Sequence, residues 1–281
     1  MKLNFIKANP TENMTVFVVD QVPRSMYMEI AKQIMDYSNI HAEQVGFIEK
    51  PSSEKGDACV RLHMMGGEFC ANATRALAAV LVHRKHWKIK REEEKFIVPI
   101  EVSGLDEIIY CEVEPNNENK ETSSFISTAK IPSPNQIEDF PINYKNTIHE
   151  GKLVKFPGIS HLVVDSKKID SKEDFFMKVK EDLEHLETEA FGIIFYNEEE
   201  SYMDPLVYVK SIESLIWERG CGSGTVALGA VLSHRTQKNI DMVVKQPGGE
   251  LEVVTEWLEN KLNNIYLKGV VDITAEGTLY V

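Results

Sequence analysis

Two cysteines occupy matched places in two copies of one pattern. The run C-A-N-A-T-R-A-L-A-A-V-L-V-H-R extends from Cys70 to Arg84, and C-G-S-G-T-V-A-L-G-A-V-L-S-H-R from Cys221 to Arg235. Laid over each other without a gap, the two runs share Cys, Thr, Ala, Leu, Ala, Val, Leu, His and Arg. Two Ala/Leu-rich core helices could converge on similar composition, but agreement this dense favours an internal duplication. Each half would then supply one helix headed by a cysteine. A copy number of two suits a pseudo-symmetric pair better than a solenoid, which needs more repeats.

The surroundings of the two sulfurs point to proton transfer. Gly66, Gly67 and Glu68 precede Cys70, and Gly220 precedes Cys221. Ala71-Asn72-Ala73-Thr74 and Gly222-Ser223-Gly224-Thr225 follow, rich in residues that favour helix N-termini. The first turn of a helix carries outward-pointing N–H groups and the positive end of its dipole. A thiol there is expected to ionise below its reference value of about 8.5, and a carboxylate is held by the same amides. With two such ends facing one another, an amino acid's carboxylate would lie between the helices and its Cα between the sulfurs. Deprotonation at Cα moves charge onto that carboxylate, where the amides stabilise it as it forms. One thiolate would take the α-proton from one face while the other group, as thiol, returns a proton to the opposite face.

Other readings explain less. The stretch G-C-G-S-G-T-V-A-L-G lacks the Lys-Ser/Thr ending of a phosphate-binding loop and the G-x-G-x-x-G spacing. A cysteine hydrolase needs one Cys and a His base, and leaves the second matched Cys without a purpose. A two-lobed binding module would use the helix ends for anion capture but needs no sulfur at either. Cys59 and Cys111 lie in alternating strand patterns and read as structural thiols. The four cysteines show no CxxC spacing and no metal-finger pattern with His.

The rest of the chain reads as an α+β scaffold for those two helices. Short runs rich in Val, Ile, Phe and Tyr, such as KLNFIKA, TVFVVD, KFIVPIEV, HLVVD, FGIIFY and NIYLKGVVDI, alternate with Gly, Pro, Asn and acidic clusters. Arg24 to Tyr37 and Lys172 to Leu186 show the apolar spacing of amphipathic helices. Pro115 to Pro141 is poor in core residues and reads as a domain boundary holding one strand, Ser124 to Ile131. A chain of 281 residues has room for two domains. Its 43% hydrophobic and 27% charged residues are those of a globular protein. The net charge of -13 argues against nucleic-acid or anionic-membrane partners. With no secretory core at the start and no spanning apolar run, a cytoplasmic location with free thiols is expected.

In order along the chain, several motifs resemble the diaminopimelate epimerase fold family, which includes the proline racemases. Asn13 in T-E-N-M-T-V-F-V-V-D, Glu43-Gln44, Glu68-Phe69-Cys70-Ala71-Asn72 with Arg75, Ser160-His161, Cys221-Gly222-Ser223-Gly224 and Pro247-Gly248-Gly249 carry the likeness. The resemblance implies two pseudo-symmetric domains, 1–118 with 268–281 and 119–267. Each would be a sheet or barrel around a central helix, with the active site in the interdomain cleft. It implies no cofactor and no metal, and a small amino acid as the only partner; homodimerisation is left open. By the same resemblance, the backbone of Ala71, Asn72, Gly222 and Ser223 holds the α-carboxylate, Asn13 and Gln44 help fix the substrate, and His161 contacts the reacting amino acid.

Some positions depart from that pattern. Ile159 stands where diaminopimelate epimerases carry Asn, F-G-I-I-F-Y lacks their Asn residues, and Glu218-Arg219 lies close before Cys221. A second amino-acid head would be poorly paired there. E-Q-V-G-F-I-E at Glu43 to Glu49, S-L-I-W-E at Ser214 to Glu218 and Q-P-G-G at Gln246 to Gly249 resemble more closely the histidine racemases of the staphylopine (opine metallophore) pathway. That likeness implies interconversion of L- and D-histidine. It makes Glu43 or Glu218 the partner of the imidazole, or Glu218 an auxiliary acid/base, while Glu43 could equally serve to orient Gln44. Diaminopimelate epimerisation, or racemisation of another amino acid, is the alternative.

Overall fold

The computed structural model describes residues 1–52, 56–117, 123–210 and 213–281. Contacts divide the chain into two compact units, Met1–Lys130 with Lys268–Val281, and Ile131–Leu267. The break expected at 118/119 lies outside the described residues. The strand expected at Ser124 to Ile131 is present over those residues, and Phe125 to Ala129 pair with Cys111 to Pro115 of the first unit.

The first unit opens with a hairpin, β1 (Lys2–Asn9) against β2 (Thr15–Val18). A 3-10 turn at Arg24–Met26 leads into α1 (Tyr27–Met35), which carries the chain to β3 (Gln44–Glu49), parallel to β2. Parallel neighbours need such a crossover. The helix buries Tyr27, Ile30, Ala31 and Ile34, the spacing of one helical face. They pack on Phe5, Val16, Val18, Val45 and Phe47, with the Tyr27 and Phe47 rings stacked at 3.6 Å. β4 (Val60–Met64) returns antiparallel to β3. The first cysteine-headed helix, α2 (Ala71–His83), then crosses to β6 (Lys95–Val102), parallel to β4. A short β5 (Lys90–Glu92) pairs with β6, and β7 (Ile108–Pro115) and β8 (Ser124–Ile131) follow antiparallel.

The second unit starts with β9 (Gln136–Tyr144) and then follows the same order. β10 (Thr147–Lys155) and β11 (Ile159–Asp165) form a hairpin, and α3 (Lys172–Glu184) crosses to β12 (Ala190–Asn197), parallel to β11. β13 (Tyr202–Val209) returns antiparallel, with β14 (Ser214–Trp217) folded against it. The second cysteine-headed helix, α4 (Gly222–Thr236), leads to β15 (Ile240–Gln246), which meets β13 in parallel at Tyr202 and Lys245. β16 (Gly249–Leu258) pairs with β15, and β17 (Lys261–Tyr280) ends antiparallel to β1 in the first unit's set. Hairpin, helix crossover, antiparallel return, cysteine-headed crossover and antiparallel return thus occur twice.

Both cysteine-headed helices are interior. Every residue from Ala71 to Val82 is buried, as is every residue of α4 from Gly224 to Ser233. A helix apolar on all sides is stable only when surrounded, and Ala keeps it thin enough for strands to close around it while favouring helix. Gly229 shows how tight this is: a Cβ there would lie 2.5 Å from Val253 Cγ2 on β16. Among the described residues, no helix is long and apolar enough to cross a membrane.

Candidate active site

Cys70 is the N-cap of α2 in extended conformation (φ -126°, ψ 113°), and its Sγ accepts the Ala73 N–H at 3.4 Å. Its carbonyl takes the Thr74 hydroxyl at 2.7 Å. The β2–β3 side of the unit delivers the other expected residues to this cap. Cys70 Sγ donates to Gln44 Oε1 at 3.1 Å. Gln44 Nε2 donates to Asn13 Oδ1 at 2.7 Å and to Thr15 Oγ1 at 2.8 Å. Asn13 Nδ2 donates to a Glu43 carboxylate oxygen at 2.8 Å, and Asn72 Nδ2 donates to Asn13 Oδ1 at 3.1 Å. Asn13, Glu43, Gln44, Cys70 and Asn72 therefore form one connected set, with Ala71 buried beside it.

At the inner end of this set stands Arg75, fully buried and named in the sequence only as a motif match. Its Nε and Nη2 both donate to Asn72 Oδ1, at 3.2 and 3.1 Å. Its remaining bonds go to Thr11 Oγ1 and the Val270 carbonyl. All three acceptors are neutral, and burial lowers the guanidinium to about 10. The cation persists at neutral pH one and a half turns inside the helix that Cys70 heads. Its counterpart in the repeat is Val226, so only the first unit carries this charge.

Cys221 caps α4 in the same way (φ -101°, ψ 104°), its Sγ accepting the Gly224 N–H at 3.3 Å. Gln246 clamps the cap, accepting the Cys221 N–H at 2.7 Å and donating to Thr225 Oγ1 at 2.9 Å. In the sequence, Gln246 stands out only as the head of the Q-P-G-G string. The expectation of a readily ionised thiol fails here. Burial pushes Cys221 well above the ordinary thiol value, and the Glu218 carboxylate, by charge and by a hydrogen bond, pushes the same way. The Ser223 hydroxyl and the Gly224 N–H oppose this but are outweighed. Desolvation exceeds what one helix turn supplies. Cys59 and Cys111 are buried thiols, the latter raised to about 12.

His161, on β11, is fully buried, and its Nε2 lies 2.8 Å from Ser223 Oγ. Burial lowers the imidazole to about 3, so the ring is neutral under all ordinary conditions. Its Nδ1 meets no hydrogen-bond partner among the described residues and faces Gly192, where a Cβ would come within 2.5 Å of it. An orphaned buried N–H is rarer than an orphaned acceptor. The proton therefore belongs on Nε2, which donates to Ser223. That leaves the Ser223 hydroxyl hydrogen for Cys221 Sγ, 3.6 Å away. His161 thus addresses the cysteine through Ser223, with Gly222 buried alongside.

Each unit accordingly presents a thiol capping a buried helix, first-turn amides beside it, and a polar network that holds the sulfur. This is the equipment of acid/base chemistry at a carbon next to a carboxylate. Solved structures share the fold. A hydroxyproline epimerase from Agrobacterium vitis matches with TM-score 0.71 at 10% identity, covering 99% of this chain and 92% of that one. A predicted epimerase from Pseudomonas aeruginosa matches with TM-score 0.67 at 8% identity, covering 99% of each. The chain therefore has the mixed α+β fold of the racemases and epimerases. The family described as "Histidine racemase CntK N-terminal domain" matches residues 2–280. Histidine racemases from Fusobacterium nucleatum and Staphylococcus aureus are 35% and 27% identical to the chain, over 99% of it and 97% and 98% of their own lengths. The chain belongs to the histidine racemase CntK family.

Proposed function

We propose that this protein interconverts L- and D-histidine by direct proton transfer at Cα, with Cys70 and Cys221 as the two acid/base groups. The observation that carries the reading is the pair of matched N-capping cysteines, each heading a buried helix, in a chain that follows its family throughout. In the reaction, one sulfur as thiolate removes the α-proton and becomes a thiol. The other, as thiol, protonates the opposite face and becomes a thiolate. Inversion requires both sulfurs to reach one Cα from opposite sides. The amides of Ala71, Asn72, Gly222 and Ser223 would bind the carboxylate and stabilise the enolate character it gains. Asn13 and Gln44 would position the amino acid. Glu43 would receive an imidazole N–H, and Glu218, hydrogen-bonded to Cys221, would serve as an auxiliary acid/base.

Chiral chromatography of histidine incubated with the protein, against LL-diaminopimelate, tests the substrate. Histidine should racemise and diaminopimelate should not. Cys70→Ser and Cys221→Ser should each reduce racemisation by about 10³-fold or more, the loss expected of an acid/base group whose replacement does not ionise. Near-native turnover in either variant would overturn the two-thiol mechanism.

A further inference from the structure

We propose that Gln44, locked in orientation by Arg75 through Asn72 and Asn13, keeps the Cys70 sulfur protonated, so that the resting protein offers Cys70 as the proton donor of the pair. This rests on the reading above for its catalytic meaning, though not for its test. The argument is one of donors and acceptors. A guanidinium has only donors and a carboxylate, once ionised, only acceptors. Arg75 gives two N–H groups to one atom of Asn72, which must therefore be the oxygen. The Asn72 amide nitrogen then faces Asn13, so the Asn13 atom it meets is also an oxygen. That leaves the Asn13 nitrogen pointing at Glu43, whose carboxylate accepts from it, and the two ends of the chain agree. Gln44 meets the same Asn13 oxygen, so Gln44 must offer its nitrogen there, and its oxygen is turned to Cys70.

An amide oxygen at 3.1 Å favours S–H over a thiolate, because the neutral form alone can donate to it. The Ala73 N–H pulls the other way from α2, at the longer distance of 3.4 Å. Among the described residues, the charged and titratable groups near this cap include Arg75 on α2, Glu43 bonded to Asn13, Glu68 two residues before the cysteine and the buried Cys111 thiol on β7. Arg75 therefore acts twice with opposite sense. Its charge favours a thiolate, while the orientation it imposes turns an acceptor on the thiol. Removing Arg75 would mix the two effects; changing Gln44 separates them.

The test is the pH dependence of Cys70 alkylation in the full chain. Iodoacetamide labelling is followed by peptide mass spectrometry, with the Cys221 peptide as internal reference and thermal melting as a check on folding. Gln44→Met removes the acceptor at nearly constant volume; labelling of Cys70 at pH 7 should rise about threefold or more, with a lower midpoint. Gln44→Glu supplies a carboxylate acceptor, so labelling at pH 7 should fall by a similar factor and the midpoint should rise. A role in packing alone would move both variants the same way. Shifts of the same sign, or no shift in either, overturn the proposal. Should Gln44→Met fail to fold, Gln44→Glu against the unaltered protein decides by the same sign. The readout needs no turnover, so a failed racemase assay leaves it standing and the reverse also holds.

Discussion

His161 gives the sharpest quantitative expectation, because its imidazole is sealed rather than merely shielded. The ring is fully buried, its ordinary value of 6.5 is lowered to about 3 by burial, and no anion offsets the loss of hydration. The folded state therefore excludes a proton that the unfolded chain binds. Unfolding at pH 5 takes up nearly one proton at this residue, and at pH 7 takes up little. Stability contributed by the neutral ring is thus intact above about pH 6.5, falls as the pH drops through that value, and goes on falling until about pH 3. Between pH 7 and pH 5 the unfolded state gains about 1.5 units of protonation free energy that the folded state does not, or about 2 kcal/mol. Because the residue is wholly buried, screening by solvent does not reduce the figure. Urea unfolding at the two pH values, for the protein and for His161→Gln, isolates the contribution, since the remaining histidines act in both. Glutamine can still reach Ser223 but does not titrate, so the variant should lack about 2 kcal/mol of the acid loss. If both proteins lose the same stability, or if the His161 ring signals titrate near pH 6.5 by NMR, the ring is not sealed and the donor assignment to Ser223 fails with it.

The same packing predicts that Gly192→Ala drives a methyl into His161 Nδ1, at an unrelaxed 2.5 Å. A destabilisation of about 1–3 kcal/mol is expected in urea unfolding, with a drop in kcat as Ser223 loses its donor; unchanged stability and turnover would contradict it. In α3, Ser171 accepts the Asp174 N–H at 3.2 Å as the helix cap. Ser171→Ala should therefore cost about 1 kcal/mol, read from melting, while histidine turnover at a temperature well below the melt stays unaltered.

The legible parts of the sequence were those with a local cause. A cysteine followed by small residues and an Ala-rich run can only be the entry to a buried helix, and both helices begin one residue after their cysteine. The strand at Ser124 to Ile131 stood out because it alternates within a stretch poor in other core residues. Amphipathic spacing located the two outer helices but overran their ends. Arg24–Met26 closes as a 3-10 turn, Asp36 leaves the helical region, and the α3 helix ends at Glu184 with a turn to follow. Residues such as Arg75, Thr15 and Gln246 were less legible, because their importance depends on what lies opposite them. A long cation inside an apolar helix run is one signal the sequence does contain: burial of Arg75 forces it to find acceptors, and those acceptors turn out to be the network around Cys70. The acidity of Cys221 was misjudged for the same reason. The helix terminus is local and was visible, whereas the burial that outweighs it is a product of the tertiary fold.

The duplication has kept one device and diversified its surroundings. In both units a sulfur accepts the amide three residues on, and a Thr hydroxyl four residues on bonds the cysteine carbonyl. These contacts belong to the helix cap and need only the repeated residues. Beyond the cap the units diverge. Around Cys70 stands a run of amides with a buried cation at one end and an exposed carboxylate at the other. Around Cys221 stand a sealed neutral imidazole, a serine hydroxyl and a carboxylate within reach of the thiol. A racemase acts on mirror-image substrates, but its two acid/base groups need not be mirror images in chemistry. At equilibrium only the ratio of products is fixed, and each direction can take its proton through a different set of groups. Cys221 is held as a thiol by burial and by a carboxylate that accepts its S–H; Cys70 faces an amide oxygen that accepts its S–H instead, so the two thiols are held by different groups.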